Sequence, residues 1–165
     1  MAKRVFYSFH YTQDAWRAAQ VRSMGIVESD RPATDNEWES VKKGGDQAIS
    51  KWIDGQLFGK SCAIVLIGEY TAGRKWINYE IKEAWNAGKG LVGVYINKLK
   101  DASGKQSRAG SNPFASFTFG SARQQLSSVV KTYDPPYLGS TDVYSYINRN
   151  LEDWIDEAIE IRKRY

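Results

Sequence analysis

The segment AGRKWINYEIKEAW, residues 72–85, places two tryptophans and two glutamates directly after the most apolar run of the chain. Trp76 and Glu80 are four residues apart, so on a helix they share one face about one turn apart. A flat indole beside one carboxylate suits a substrate with a planar, cationic leaving group. Nicotinamide bound to ribose is such a group, because it departs neutral without a general acid while positive charge develops on the ribose. A fixed carboxylate stabilises that charge and holds or deprotonates a hydroxyl.

The same residues also have a plainer interpretation. Glu80 could be an exposed helix carboxylate that pairs with Lys75 or Lys82, and Trp76 could simply pack against the loop after the first strand. Glu69 and Glu83 are more typical of solvated charges. The residues alone leave both interpretations open.

Several chemistries are excluded by composition. The chain has one His and one Cys, so a His-rich metal site, a C-x-x-C pair and an intramolecular disulfide are not available, and no metal is predicted. No G-x-S-x-G elbow and no glycine-rich phosphate loop occurs. The net charge is +4, but no basic stripe with interleaved aromatic residues is present, so we do not expect nucleic-acid binding.

Length and hydropathy limit the number of domains and the possible cellular location. The 165 residues predict a single domain, residues 1–165. The start, MAKRVFYSFHY, lacks the apolar run and cleavage site of a signal peptide, and no window approaches the length of a membrane span. We therefore expect a cytoplasmic protein without membrane contact.

Strands are predicted where apolar or β-branched residues cluster between polar breaks. SCAIVLIG is continuously apolar, as in strands buried on both faces of a parallel sheet. The predicted strands are Arg4–Phe9, a weaker Ile26–Ser29, Ser61–Gly68, Leu91–Asn97 and one within SSVVKTYD.

Helices are predicted between these strands from spacing and end signals. One opens at Asp14, carries Trp16 and Ala19 on its apolar side and closes at Gly25. The others are DQAISKWIDGQL, the AGRKWINYE segment and a final helix with Ser140 or Thr141 as its cap and a stripe of Tyr144, Ile147, Leu151, Trp154 and Ile155. Asp30–Gly45 is expected to be a long loop, and Lys98–Ser116 a surface excursion.

Alternating strands and helices predict an α/β fold in which helices cover both faces of a parallel sheet. Ligands of such folds bind at the carboxyl ends of the strands, near the point where the strand order reverses. SFHYTQ, the loop of residues 30–45 and GEYTAGRKW should therefore meet there.

Two segments resemble TIR domains. RVFYSFHYTQD is similar to their opening strand and loop, and K-W-I-N-Y-E-I is similar to the W-x-x-x-E-[IL] of the catalytic members. In detail the chain is most similar to TIR-like proteins such as the TIR subunit of bacterial Thoeris antiphage systems. The resemblance implies a three-layer flavodoxin-like fold, Glu80 as the catalytic residue, and Trp76, Phe9 and His10 as substrate-binding residues.

The resemblance also implies a function. Such proteins take NAD as substrate, need no cofactor and make a cyclic ADP-ribose isomer, a diffusible signal that activates a downstream effector in antiphage defence. Self-association is a further expectation. His10 stands where animal relatives often have Arg or Lys, and residues 30–45 are unlike the assembly-controlling loop of those relatives.

Two alternatives remain. A non-catalytic TIR-like signalling or scaffold module would use the aromatic surface for protein contacts and would tolerate Glu80→Gln, since fold alone never assigns chemistry. A nucleoside deoxyribosyltransferase-like enzyme also uses a Glu in a flavodoxin-like fold, but it would exchange bases between nucleosides and ignore NAD.

Overall fold

Five parallel strands form the central sheet in a computed structural model that describes residues 4–26, 28–29 and 40–165. Two further strands lie outside this sheet, so that the described residues contain seven. In chain order these are β1 (Arg4–Ser8), β2 (Glu28–Ser29), β3 (Cys62–Ile67), β4 (Gly90–Tyr95), β5 (Thr118–Phe119), β6 (Gln124–Gln125) and β7 (Thr132–Tyr133). The sheet has the order β2-β1-β3-β4-β7 with parallel neighbours throughout. β5 and β6 form a separate antiparallel pair that the sequence analysis did not predict.

Helices cover both faces of this sheet. They are α1 (Tyr11–Arg22), α2 (Gly45–Leu57), α3 (Lys75–Asn86) and α4 (Ser140–Lys163). Apolar side chains of α1 and α4 pack with one face of the sheet, and those of α2 and α3 pack with the other. The strand order is that of flavodoxin-like folds, so the predicted three-layer α/β architecture is confirmed.

The central strand β3 fixes the position of the ligand crevice. All of its residues are buried, as the continuous apolar run predicts for a strand covered on both faces. Its register with β1 pairs Val5 with Cys62 and Ser8 with Val65. Because the strand order reverses between β1 and β3, the residues that follow Ser8 and Ile67 lie at the crevice.

Helix α1 differs from its prediction in its start and in its buried face. It begins at Tyr11 with His10 as N-cap, three residues before the predicted Asp14. The buried residues are Asp14, Arg17, Ala18 and Val21, whereas Trp16 is 59% exposed and Ala19 is also exposed. The prediction was wrong because it assigned apolar residues to the core, while this helix buries an ion pair.

Helix α4 confirms the predicted stripe but not the predicted cap. Ile147, Leu151, Trp154 and Ile155 are buried. The N-cap is Gly139, without a side-chain cap bond. The Ser140 hydroxyl instead accepts a hydrogen bond from the Lys100 backbone N–H at 3.2 Å, so it joins the helix to the segment after β4.

The segment of residues 98–116 lacks helix and strand, as expected, but it is not merely a surface excursion. Leu99 and Phe114 are fully buried, in the clusters on opposite faces of the sheet. Of the long loop predicted for residues 30–45, positions 30–39 lie outside the described residues, and positions 40–43 are helical. In the part of the chain that the structure describes, no helix is long and apolar enough to span a bilayer.

Candidate active site

A cavity of about 990 Å³ opens at the carboxyl ends of β1 and β3. The four residues predicted from the sequence, Phe9, His10, Trp76 and Glu80, all line it. Two loops bring them together, because Phe9 and His10 follow β1 while Trp76 and Glu80 lie on α3 after β3. The cavity is also lined by Lys42, Ile49, Trp52, Gln56 and Lys60.

Glu80 brings a carboxyl group to this cavity. Its Oε2 atom is buried and makes no hydrogen bond within the described residues. Burial raises the pKa of Glu80 to about 8, and the Ser8 hydroxyl partly opposes that rise. The ion pair with Lys75 considered above is not formed, because Lys75 pairs with Asp46 on α2. Glu80 is therefore a carboxyl group that holds its proton near neutral pH and changes charge in the range where a general base operates.

Ser8 is a residue of this site that the sequence analysis missed. It is the last residue of β1 and only 1% exposed. Its Oγ atom is buried and, within the described part of the chain, has no hydrogen-bond partner by distance and angle, although it is close enough to lower the pKa of Glu80. The available signal was strand alternation, which places Ser8 on the same side as Phe6.

The indole of Trp76 is held in place from its own helix. It packs edge-to-face against Tyr79 with ring centroids 5.6 Å apart, and Lys75 Nζ lies 5.0 Å from the indole centroid. Tyr79 in turn donates a hydrogen bond of 2.8 Å to the carboxylate of Asp54 on α2. Trp76 thus combines a packing role with a face turned to the cavity one helical turn before Glu80.

His10 and Phe9 also have structural roles at the cavity mouth. His10 Nδ1 accepts a 3.3 Å hydrogen bond from the Gln13 backbone N–H and so caps α1. Burial, and then the Arg74 charge, lower the pKa of His10, so the ring is neutral near pH 7. Phe9 stacks on Tyr11 with centroids 6.1 Å apart.

A buried ion pair lies next to the crevice. Asp14 and Arg17 are 1% and 4% exposed, and Arg17 Nη1 donates to Asp14 Oδ1 at 3.1 Å. Arg17 also donates to the carbonyl oxygens of Leu99 at 2.8 Å and Lys105 at 2.9 Å. Burial raises the pKa of Asp14, and Arg17 opposes that rise. This pair joins α1 to the segment after β4.

Two glycines let the backbone approach this pair closely. A Cβ at Gly68, directly after β3, would lie 2.0 Å from Asp14 Oδ2. A Cβ at Gly110 would lie 2.2 Å from the Gly68 carbonyl oxygen. The Gly68 N–H donates to the hydroxyl of buried Thr71 at 2.8 Å. The loop that leads to α3 is therefore held from two sides.

Cations outnumber carboxylates around the cavity. Glu69 and Glu80 are its acidic residues, against the basic residues Arg22, Lys42, Lys60, Arg74 and Lys75. Such a wall suits a ligand with negative charge, such as a pyrophosphate, together with an aromatic group for Trp76. Across the described residues, no cluster of three or more His, Cys, Asp or Glu side chains could hold a metal ion.

Comparison with known proteins relates this site to a family. The family model of the Thoeris protein ThsB, TIR-like domain, matches residues 6–101. The chain belongs to this ThsB TIR-like family. The matched segment runs from β1 past β4 and contains Ser8, Phe9, His10, Trp76 and Glu80, so the family is defined over the part of the chain that builds the cavity.

A relative from Bacillus cereus (strain MSX-D12) supports the same assignment. It is named "Putative cyclic ADP-D-ribose synthase ThsB1" and is 39% identical over 120 residues, which cover 69% of this chain. The matched stretch spans 62% of the length of that relative.

Proposed function

We propose that this ThsB-type TIR-like chain cleaves NAD between nicotinamide and ribose and closes the product into a cyclic ADP-ribose isomer. The observation that carries the proposal is the unpaired Glu80 carboxyl, buried one helical turn from Trp76 in a cation-lined cavity. The name of the relative, a cyclic ADP-ribose synthase, supports the same substrate and product class. NAD is the substrate, and no cofactor enters the reaction.

Each residue of the site has a role in this reaction. Trp76 stacks on the nicotinamide ring, while Phe9 and His10 line the entrance. The bond between the ribose C1′ and the nicotinamide nitrogen breaks, and its electron pair leaves with nicotinamide. Ionised Glu80 stabilises the resulting ribosyl cation. A hydroxyl of the adenosine ribose then bonds to C1′, and its proton passes to Glu80, so that the net products are nicotinamide, the cyclic nucleotide and one proton.

The cyclic product would act as a diffusible signal to a separate effector in antiphage defence. The chain would meet this effector through the nucleotide rather than by direct contact. Self-association belongs to the same proposal, as does a cytoplasmic location, where NAD is available.

The test is incubation of the purified protein with NAD, followed by chromatography and mass spectrometry. We expect nicotinamide release together with a product one water lighter than ADP-ribose. Glu80→Gln should lower product formation roughly 1000-fold, since a neutral amide cannot stabilise the cation. Glu83→Gln is the matched control on the same helix, because Glu83 does not line the cavity, and it should retain activity.

The same assay separates the alternatives. Each variant is also assayed with lysate from phage-infected cells, in case the enzyme requires an infection signal. Full activity in Glu80→Gln would rule out the role proposed for Glu80, whereas no nicotinamide release under either condition would rule out the proposal and favour a scaffold. Base exchange between nucleosides without NAD cleavage would favour a deoxyribosyltransferase.

A further inference from the structure

Ser8 Oγ and Glu80 Oε2 are among the buried oxygen atoms that lack hydrogen bonds within the described residues. Most buried hydroxyl and carboxylate oxygens in folded proteins have a partner, so each exception calls for a physical reason. The role proposed for Glu80 accounts for its carboxylate. It does not account for the Ser8 hydroxyl.

The two atoms belong to one side of the sheet. Phe6 packs with the cluster that α2 and α3 form, and alternation along β1 places Ser8 on that same side. Glu80 projects from α3, which covers this side. The Ser8 hydroxyl is the group that lowers the pKa of Glu80, as expected for a hydrogen-bond donor beside a carboxylate.

We propose that Ser8 is the positioning residue for Glu80, whose ionised carboxylate accepts a hydrogen bond from the Ser8 hydroxyl and is thereby aimed at the substrate ribose. The bond strengthens when Glu80 loses its proton, because a charged acceptor binds a hydroxyl more strongly than a neutral one. The identity of the ribose rests on the proposed function, whereas the bond between Ser8 and Glu80 does not.

Several other charged or titratable residues line the same cavity as Glu80. Arg74 and Lys75 begin α3, His10 and Glu69 flank the mouth, and Arg22, Lys42 and Lys60 line the remainder. Burial is the main cause of the raised pKa of Glu80, and the Ser8 hydroxyl is the group that lowers it. Loss of that hydroxyl should therefore move the titration of Glu80 further upward.

The experiment is a pH titration of the carboxyl carbon of Glu80 by NMR in protein labelled with ¹³C-glutamate, with Glu80→Gln to assign the signal. We expect a midpoint near pH 8 in the wild type and about one pH unit higher in Ser8→Ala. Ser8→Thr keeps the hydroxyl and should titrate like the wild type. Ser107→Ala is the matched control, because Ser107 also carries a buried hydroxyl without a partner in the described residues but is not among the groups that act on the Glu80 carboxyl.

Kinetics then link the bond to the reaction. Since one pH unit corresponds to about tenfold in the ionised fraction, kcat/KM for NAD in Ser8→Ala should fall about tenfold at pH 7 and recover above pH 9. An unchanged Glu80 midpoint in Ser8→Ala would overturn the inference. A shifted midpoint in a protein that does not cleave NAD would refute the proposed function and leave the hydrogen bond between Ser8 and Glu80 established.

Discussion

Two carboxylates lie at the carboxyl end of the sheet, one on the helix over each face, and their surroundings differ. Asp14 on α1 is bonded to the guanidinium of Arg17, which in turn reaches two backbone carbonyls. Each carboxylate keeps one buried oxygen without a hydrogen bond among the described residues, Asp14 Oδ2 and Glu80 Oε2, but no ion pair is formed by Glu80 on α3 in the described part of the chain. A buried charge without a partner is costly, so the contrast separates a carboxylate that holds the fold together from one kept available for a ligand.

The test of this contrast with the largest expected loss of stability removes the cation on the α1 side. Arg17→Met leaves Asp14 buried without its partner, and removal of one member of a buried ion pair typically costs about 3–5 kcal/mol. Because Arg17 lowers the pKa of Asp14, its loss lets Asp14 take up a proton more easily, so the destabilisation should be smaller at pH 5 than at pH 8. Urea unfolding at both pH values measures this effect.

The control for that variant is Arg17→Met combined with Asp14→Asn. The neutral amide no longer requires a cation, so the double variant should be more stable than Arg17→Met alone at pH 8. Equal stability of the two variants would mean that Arg17 does not stabilise the fold by compensating the charge of Asp14.

A second test adds a methyl group where the ion pair meets the loop that leads to α3. Gly68→Ala would place a methyl group 2.0 Å from Asp14 Oδ2, and overpacking of this kind costs about 1–3 kcal/mol. Gly55→Ala is the matched control, since a Cβ at this α2 position meets no atom within 4 Å. Alanine in a helix is favoured over glycine, so that variant should be stabilised by about 0.5–1 kcal/mol. Thermal melts of both proteins would show whether the tight contact is real.

A third test concerns the stability contributed by Glu80. Its folded-state pKa of about 8 lies above the ordinary glutamate value of 4.5, so the native state binds a proton that the unfolded chain releases between these values. Stability from this proton is fully present below pH 4.5 and is lost as pH rises through 8.

Glu80→Gln does not titrate, so its stability relative to the wild type should increase from pH 5 to pH 8. With pKa values of 4.5 and about 8 this relative gain is about 3 kcal/mol, or roughly 10 °C in melting temperature for a chain of this size. Glu83→Gln should show no such pH-dependent gain. A wild type that loses no stability relative to Glu80→Gln between pH 5 and pH 8 would mean that burial does not raise the pKa of Glu80.

The sequence predicted the elements that apolar periodicity controls. The continuous run of β3 and the stripe of α4 identified buried elements, and the order of strands and helices identified the fold. The family motif located Glu80 and Trp76 in the cavity wall, although their roles remain predictions.

What the sequence missed depends on contacts between distant residues. Arg17 and Asp14 look like solvated charges until residues 99 and 105 supply acceptors for Arg17. Ser8 carries no signal of its own, because its meaning comes from a carboxylate 72 positions later. The cap of α4 was misjudged for a similar reason, since Ser140 bonds to Lys100 rather than to its own helix.

The reach of Arg17 also bears on the order in which a growing chain acquires its structure. Its acceptor at Lys105 lies 88 residues downstream. At a synthesis rate of about 5–20 residues per second, Arg17 is synthesised about 4–18 s before that acceptor is made. During that interval Asp14 and Arg17 can pair only with each other or with water. We therefore expect α1 to dock against the sheet late in biosynthesis, after β3, α3 and β4 have emerged, so that a nascent chain lacking residues 99–105 would expose α1 to proteases.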